Sequence, residues 1–181
     1  MPQNSNQNIA LIGFMAVGKS AVGRKLAHRL KRRFVDLDRI VEKCEGIKVR
    51  EIFENKGEPY FRQVEAKALA RVLRENGQVI STGGGVVVSE DNLRLLQERS
   101  LIVCLSADVD TIVRRAGSHK QRPLLMATDK AQRVNELLEQ RQKYYANAHI
   151  EIDTSNLTVD EVVEKIIALA GPANQFVLCR P

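Results

Sequence analysis

The residues with the clearest chemical signature form a short loop near the amino terminus. The segment from Gly13 to Ser20 reads Gly-Phe-Met-Ala-Val-Gly-Lys-Ser, the G-x-x-x-x-G-K-S pattern of a phosphate-binding loop. Gly13 and Gly18 allow backbone conformations that turn successive amide N–H groups towards phosphate oxygens. Lys19 would place a positive charge on the β- and γ-phosphates, and the Ser20 hydroxyl would bind Mg²⁺. The loop predicts a nucleotide site.

The alternative for this loop is a plain glycine-rich turn between a strand and a helix. The apolar run 9–12 precedes it and predicts a buried strand. After it, Val22, Leu26, Ala27 and Leu30 recur at helical spacing. A plain turn requires neither the Lys-Ser pair nor a strand before it, so nucleotide binding is favoured.

Two acids lie near the end of the next predicted strand, residues 33–38. Asp36 and Asp38 alternate along this segment, so on an extended chain both would point the same way. Ligands of parallel sheets gather beyond the carboxyl ends of the strands. We therefore expect one acid to hold a Mg²⁺-bound water and the other an acceptor hydroxyl. The alternative for Asp38 is a cap on a helix over 39–44.

Three further groups of residues are candidates for binding. Arg62 and Glu65 stand at i and i+3 of a predicted helix, where spacing alone favours a solvent-exposed ion pair. Three consecutive glycines, 83–85, follow a strand at an entropic cost, which indicates a need for bare backbone near a hydroxyl or carboxylate. A basic segment around 114–128 predicts a lid, in which Arg122 would neutralise the charge of a triphosphate.

The elements that must position these residues alternate along the chain. Strands are predicted over 9–12, 33–38, 78–82, 100–106 and 150–153. Helices are predicted over about 18–30, 39–44, 47–55, 58–76, 90–99, 108–115, 128–146 and 158–170. Alternation of this kind predicts one α/β domain around a parallel sheet, followed by a tail over 171–181.

Composition narrows the class of protein. The 181 residues, 44% apolar and 28% charged, suit one globular domain. No apolar run approaches ~18 residues, and the first eight residues are polar, so we expect neither a membrane span nor a signal peptide. Three widely spaced cysteines fit the reducing cytoplasm. The net charge of +6 comes with few aromatic residues and no nucleic-acid motif, so we expect no nucleic-acid partner.

Six features resemble the shikimate kinases in order and spacing. They are the phosphate-binding loop, Asp36-Leu37-Asp38, Phe61-Arg62 with Glu65, Gly83-Gly84-Gly85, Arg122-Pro123-Leu124-Leu125 and Arg141. The similarity covers about residues 9–170. It implies a three-layer P-loop kinase fold with a five-stranded parallel sheet in the order 2-3-1-4-5 and helices on both faces. It also implies a single domain over 1–170, with an acceptor-binding subdomain about 33–61 and a lid about 114–128.

The resemblance further implies the reaction and the role of each residue. A monomer would transfer the γ-phosphoryl group of MgATP to the 3-hydroxyl of shikimate, on the route to chorismate and aromatic amino acids. Asp38 would hold and help deprotonate that hydroxyl, with Lys19 and Arg122 neutralising the phosphates. The acceptor would be bound by Arg62, Arg141, Gly83, Gly84 and Gly85, with Glu65 orienting Arg62. ATP would contact Gly13, Ala16, Val17, Gly18, Lys19, Ser20, Ala21, Arg115 and Arg122, and Mg²⁺ would contact Ser20 and, through water, Asp36.

Three positions depart from the pattern of that family. Ala16 replaces a common glycine, with little effect expected because Gly13 and Gly18 remain. Gln142-Lys143-Tyr144-Tyr145 stands where a Pro-Leu-Tyr run is common, which is expected to extend the helix and to alter the aim of Arg141. Val159 replaces a common proline near the expected adenine contacts. The rival functions are a gluconate kinase, a nucleoside kinase and a catalytically silent nucleotide-binding module.

Overall fold

Five parallel strands form the central sheet in this computed structural model, which describes residues 7–116 and 130–171. The strands are β1 Asn8–Ile12, β2 Arg33–Asp36, β3 Gln78–Ser81, β4 Ser100–Ser106 and β5 Ile150–Asp153. Their order is β2-β3-β1-β4-β5, and every pairing is parallel. The expected strand order and fold class are confirmed.

Seven helices connect and cover the strands in the described residues. They are α1 Lys19–Leu30, α2 Leu37–Glu45, α3 Val49–Val72, α4 Glu90–Arg99, α5 Val109–Ala116, α6 Lys130–Tyr145 and α7 Val159–Ala170, with a short 3₁₀ turn at Val86–Val88. In those ranges, no helix has both the length and the apolar character needed to cross a membrane.

The central strand β1 shows why the sheet has helices on both faces. All five of its residues are buried. Alternate side chains of a strand point to opposite faces, so Ile9 and Leu11 enter one core while Ala10 and Ile12 enter the other. The first core includes residues of α1, α6 and α7, and the second includes residues of α3 and α4. Burial on both faces explains the continuous apolar runs.

Two predicted elements differ from the structure. β2 ends at Asp36 and α2 begins at Leu37, so Asp38 lies in the first helical turn and the prediction of an extended Asp38 was wrong. A carboxylate in a first turn interacts favourably with the helix dipole. The helices predicted over 47–55 and 58–76 are joined as α3, with a kink at Gly57 (φ 79°) two residues before Pro59, and α3 ends at Val72.

Several predicted helix ends are confirmed. Asp108 accepts a hydrogen bond from the amide of Thr111 and so caps the start of α5. Thr158 and Glu161 form the predicted reciprocal cap of α7. α6 continues past Arg141 to Tyr145, as expected without a proline in that stretch. The residues 117–129, which contain Arg122 and most of the predicted lid, and the predicted tail beyond Gly171 lie outside the described residues.

Candidate active site

The phosphate-binding loop joins β1 to α1 through three residues with positive φ. Gly13, Ala16 and Gly18 have φ angles of 127°, 65° and 102°. A Cβ atom on Gly13 would overlap the Leu105 carbonyl oxygen, so only glycine fits there. Ala16 itself adopts the left-handed conformation, which disfavours a side chain. Alanine at this position therefore carries a backbone cost that glycine would not, and the expectation of little effect on the loop stays a prediction.

Lys19 opens α1 and turns its side chain back into the loop. Its Nζ donates hydrogen bonds to the carbonyl oxygens of Gly13 (2.8 Å) and Phe14 (2.7 Å). The side chain is buried, with only 9% of the residue exposed. The ammonium group is thus held beside the amino-terminal end of α1, where unpaired N–H groups and the helix dipole also attract anions.

Ser20 contacts residues that end two other strands. Its Oγ donates to Asp36 Oδ2 over 2.9 Å and lies 3.2 Å from the Oγ of Ser81. Two hydroxyls and a carboxylate are the hard oxygen donors that Mg²⁺ prefers. No group of three or more His, Cys, Asp or Glu side chains with metal-binding geometry occurs in residues 7–116 and 130–171. Sequence reasoning missed Ser81, although a hydroxyl at the end of β3 could have been expected near the ends of the neighbouring strands.

Asp38 faces the same cavity from the first turn of α2. Burial raises the pKa of its carboxyl group, and the negative charge of Asp36 adds to this rise, whereas Lys19 and Arg62 oppose it. Its Oδ1 lies close to Gly83: a Cβ atom on that glycine would be 3.2 Å from this oxygen. The helical position of Asp38 therefore still brings the carboxyl group to the carboxyl ends of the strands.

Arg62 and Glu65 form an ion pair that is not solvent-exposed. Arg62 Nη1 donates to Glu65 Oε2 over 2.6 Å, and Arg62 Nη2 donates to Glu58 Oε1 over 2.8 Å. Glu65 is fully buried, so the exposed pair favoured by spacing alone was wrong. Burial raises the pKa of Glu65, although Arg62 opposes the rise. Its Oε1 has no hydrogen-bond partner within the described residues.

The three glycines provide space for these charged groups. A Cβ atom on Gly83 would overlap Glu65 Oε1, and one on Gly85 would lie 2.5–2.9 Å from the guanidinium atoms of Arg62. A Cβ atom on Gly84 would lie 3.4 Å from the Met15 amide nitrogen. The glycine run thus packs against Glu65 and Arg62 and also lies beside the phosphate-binding loop.

Arg141 reaches the glycine run from α6. The residue is 8% exposed, and its guanidinium carbon lies 5.8 Å from the centre of the Phe14 ring. Its Nη1 donates a long hydrogen bond of 3.4 Å to the Gly84 carbonyl oxygen, which also accepts one of 2.7 Å from Tyr145 Oη. Phe14 and Tyr145 were not among the predicted site residues. The spacing of Tyr145, one helical turn after Arg141, could have indicated that the two side chains lie on the same face of the helix.

Arg115 approaches the loop from the opposite side. Its Nη1 donates to Thr154 Oγ1 (3.0 Å) and its Nη2 to the Thr154 carbonyl oxygen (2.8 Å). The same Thr154 hydroxyl lies 3.1 Å from the Val17 carbonyl oxygen in the phosphate-binding loop. Thr154 was missed by sequence reasoning, because an isolated threonine after a short strand carries no distinctive pattern.

One cavity of about 1370 Å³ brings most of the predicted residues together. Those that line it are Ala16, Gly18, Lys19, Ser20, Ala21, Asp36, Asp38, Arg62, Glu65, Gly83, Gly84, Gly85, Arg115 and Arg141. Gly13 and Val17, which also belong to the loop, are buried and do not line the cavity. A chamber with a phosphate cradle at one end and two arginines at the other suits a phosphoryl transfer between two bound molecules.

Comparison with known proteins agrees with this geometry. The family model described as shikimate kinase matches residues 15–170. This chain belongs to the shikimate kinase family. The shikimate kinase of Geobacter metallireducens is 42% identical over 163 residues, 90% of this chain and 91% of that protein. The shikimate kinase of Pelotomaculum thermopropionicum is 44% identical over 161 residues, 89% of this chain and 94% of that protein.

A solved shikimate kinase has the same architecture. The structure of the Acinetobacter baumannii enzyme in complex with shikimate matches with a TM-score of 0.88 and 34% identity. The match covers 91% of this chain and 92% of that one. Membership of the shikimate kinase family therefore rests on both the sequence and the fold.

Proposed function

We propose that this chain transfers the γ-phosphoryl group of ATP to the 3-hydroxyl of shikimate, giving shikimate 3-phosphate and ADP. The observation that carries the proposal is the single cavity in which Lys19, Asp38 and Arg141 line one space. The placement of this reaction on the route to chorismate and aromatic amino acids follows from family membership. The shikimate complex of the Acinetobacter baumannii relative supports the choice of acceptor.

The nucleotide end of the cavity would hold ATP in the phosphate-binding loop. Backbone amides from Gly13 to Ala21 and the Lys19 ammonium would bind the phosphates. Lys19 would exchange its two carbonyl partners for phosphate oxygens. Arg115, held by Thr154, would contact the adenine. Arg122 would add positive charge from a lid over 114–128.

The acceptor end would bind shikimate through its carboxylate and hydroxyls. Arg62 and Arg141 carry planar guanidinium groups that match a carboxylate, and Glu65 would orient Arg62 through their hydrogen bond. Backbone N–H groups of Gly83, Gly84 and Gly85 would contact the ring substituents, within a subdomain that includes about 33–61.

The chemical step requires alignment more than strong base catalysis. Asp38 would accept the proton of the 3-hydroxyl as its oxygen bonds to the γ-phosphorus and the bond to ADP breaks. Ser20 directly, and Asp36 through water, would hold Mg²⁺, for which the cluster with Ser81 offers suitable oxygen donors. When bound, Mg²⁺ neutralises charge on the β- and γ-phosphates. We also propose that the enzyme is a cytoplasmic monomer of one domain over 1–170, with no nucleic-acid partner.

The decisive experiment is an ADP-release assay with purified protein and MgATP. Shikimate, gluconate and a panel of nucleosides are supplied separately as acceptors, and the product is identified by mass spectrometry. We expect turnover with shikimate alone and a mass increase of one phosphoryl group. Turnover with gluconate or a nucleoside but not shikimate would replace the proposal by one of the rival kinases. ATP binding without any turnover would favour the silent nucleotide-binding module.

A further inference from the structure

The Gly84 carbonyl oxygen accepts two hydrogen bonds of unequal length from α6. The bond from Tyr145 Oη is 2.7 Å long, and the bond from Arg141 Nη1 is 3.4 Å long. The first has the length of a strong O–H donor, whereas the second is close to the limit for an N–H donor. Tyr145 is therefore the main partner of this carbonyl, whereas Arg141, which also hydrogen-bonds the Tyr145 phenol, is only weakly engaged by the carbonyl itself.

We propose that Tyr145 is a positioning residue for the acceptor, because it occupies the Gly84 carbonyl and so leaves the Arg141 guanidinium available to the cavity. The inference rests on the proposed function, since it assigns Arg141 to the shikimate carboxylate. Without the phenol, Gly84 would have Arg141 as its nearest side-chain donor. The guanidinium would then move towards the carbonyl and present fewer N–H groups to a bound carboxylate.

The helix provides the geometry for this role. Arg141 and Tyr145 stand at i and i+4, so their side chains lie on one face of α6. Both positions belong to one uninterrupted helix, because Gln142 and Lys143 allow α6 to continue where a proline would not. The helical register therefore places the tyrosine beside the arginine.

The environment keeps the phenol in its donor form. Burial raises the pKa of Tyr145 to about 12, and the positive charge of Arg141 together with a side-chain hydrogen bond from Arg141 opposes this rise only in part. The hydroxyl therefore retains its proton at any pH at which the enzyme would operate. A donor that does not ionise can hold a carbonyl continuously, whereas a phenolate would instead attract the guanidinium.

The position of Gly84 can affect both parts of the cavity, because this residue lies between the phosphate-binding loop and Arg141. A Cβ atom on it would be 3.4 Å from the Met15 amide nitrogen and 3.6 Å from Arg141 Nη1. Fixing its carbonyl fixes the peptide that borders both the phosphate-binding loop and the arginine. A small movement there changes the position of the acceptor relative to the γ-phosphate, and catalysis is sensitive to such displacements.

The test uses Tyr145→Phe, which keeps the ring and removes only the hydroxyl. We expect the KM for shikimate to rise about fivefold, with the KM for ATP unchanged and kcat reduced about twofold or less. The dissociation constant of shikimate, measured by calorimetry, should rise in the same proportion. The matched control is Tyr144→Phe, which removes the hydroxyl of the adjacent residue, whose ring instead packs against Lys143. Its KM values should equal those of the wild type.

A double-mutant cycle with Arg141→Lys shows whether Tyr145 acts through the arginine. Lysine has no planar fork to reorient, so we expect Tyr145→Phe to change the KM for shikimate by less than twofold in that background. Equal effects of Tyr145→Phe in both backgrounds would overturn the inference, as would an unchanged KM in the single variant or parallel rises in both KM values. Absence of shikimate turnover in the wild type would instead overturn the proposed function.

Discussion

Asp38 is a partly buried carboxyl group beside both positive and negative charges. Its pKa is raised, first by burial and then by Asp36, which makes it a better proton acceptor once ionised. We expect Asp38→Asn to lower kcat with shikimate by roughly 100- to 1,000-fold. Its unfolding free energy should hardly change, because the substitution is nearly isosteric and removes a charge that burial disfavours. Steady-state kinetics and chemical denaturation measure the two quantities.

The control for this substitution is Asp91→Asn on the exposed surface of α4. It should leave both kinetics and stability close to those of the wild type. Near-full activity of Asp38→Asn would mean that another group accepts the proton. A large loss of stability would mean that Asp38 is a structural residue instead.

The raised pKa of Glu65 predicts how the stability of the folded protein depends on pH. Burial raises its pKa, so the folded protein binds this proton more tightly than the unfolded chain. The tighter binding of this proton stabilises the folded protein fully below the pKa of Glu65 in the unfolded chain. This stabilisation is lost as the pH rises through the pKa of Glu65 in the folded protein. Glu65→Gln cannot titrate. Its unfolding free energy should therefore improve relative to the wild type as the pH rises above the pKa of an unfolded glutamate, about 4.3, as measured by urea denaturation at each pH.

Exposed Glu98→Gln on α4 is the matched control for this experiment. The same Glu65→Gln variant should raise the KM for shikimate, since Arg62 exchanges a charged partner for a neutral one. A stability difference that shrinks towards higher pH would contradict the raised pKa. It would indicate that the ion pair with Arg62 outweighs the cost of burial.

At the scale of the element, the turn after β3 is built around the arginine that approaches it. A Cβ atom on Gly85 would lie 2.5–2.9 Å from three guanidinium atoms of Arg62. Because the obstructed group is the end of a flexible side chain, Gly85→Ala should displace Arg62 rather than unfold the protein. We expect the KM for shikimate to rise about tenfold or more and the KM for ATP to change little.

Kinetics with each substrate varied in turn, together with a melting temperature, test the Gly85→Ala variant. Gly171→Ala, just after α7 and outside the cavity lining, is the control for the change in chain entropy. If both KM values rose equally in Gly85→Ala, the glycine would support the whole cavity and not the arginine in particular.

The type of an element was predictable where a strand is buried on both faces, or where the helical pattern of apolar residues continues over several turns. β4 and β5 have the predicted bounds because their apolar patterns are interrupted by polar residues at both ends. The segment around Leu37 was misassigned because its alternating apolar and acidic residues fit both a strand and the start of a helix. Only packing decides between the two, and Leu37 is fully buried as the first residue of α2.

The candidate site was predictable where a motif fixes residue types at set spacing. The loop with Lys19 and the glycine run are of this kind. Ser81, Tyr145 and Thr154 are different, because each acts through a hydroxyl whose partner is distant in sequence. A single hydroxyl leaves no periodic pattern. Its partner becomes visible only when the sheet order brings the strand ends together.

For the whole molecule, the sheet order sets the order of the two substrates. Asp36 and Ser81 end β2 and β3, and Gly13 follows β1, which is next to β3 in the sheet. Arg115 and Thr154 follow β4 and β5. In the proposed function, the carboxyl edge of the sheet would therefore run from the acceptor end, past the phosphate-binding loop, to the adenine end. Because β1 is central, topology rather than any one side chain would place the loop between the two proposed substrates.

This arrangement predicts that each substrate stabilises the fold independently. At a concentration of about 100 times its dissociation constant, a ligand adds about 2.7 kcal/mol to the unfolding free energy. For a chain of this length that corresponds to a melting shift of roughly 5–10 °C, measurable by scanning fluorimetry. Shikimate and MgATP should each produce such a shift, and gluconate should not. Arg141→Ala should lose the shift with shikimate and retain the shift with MgATP, whereas loss of both would mean that Arg141 supports the fold instead of binding the acid.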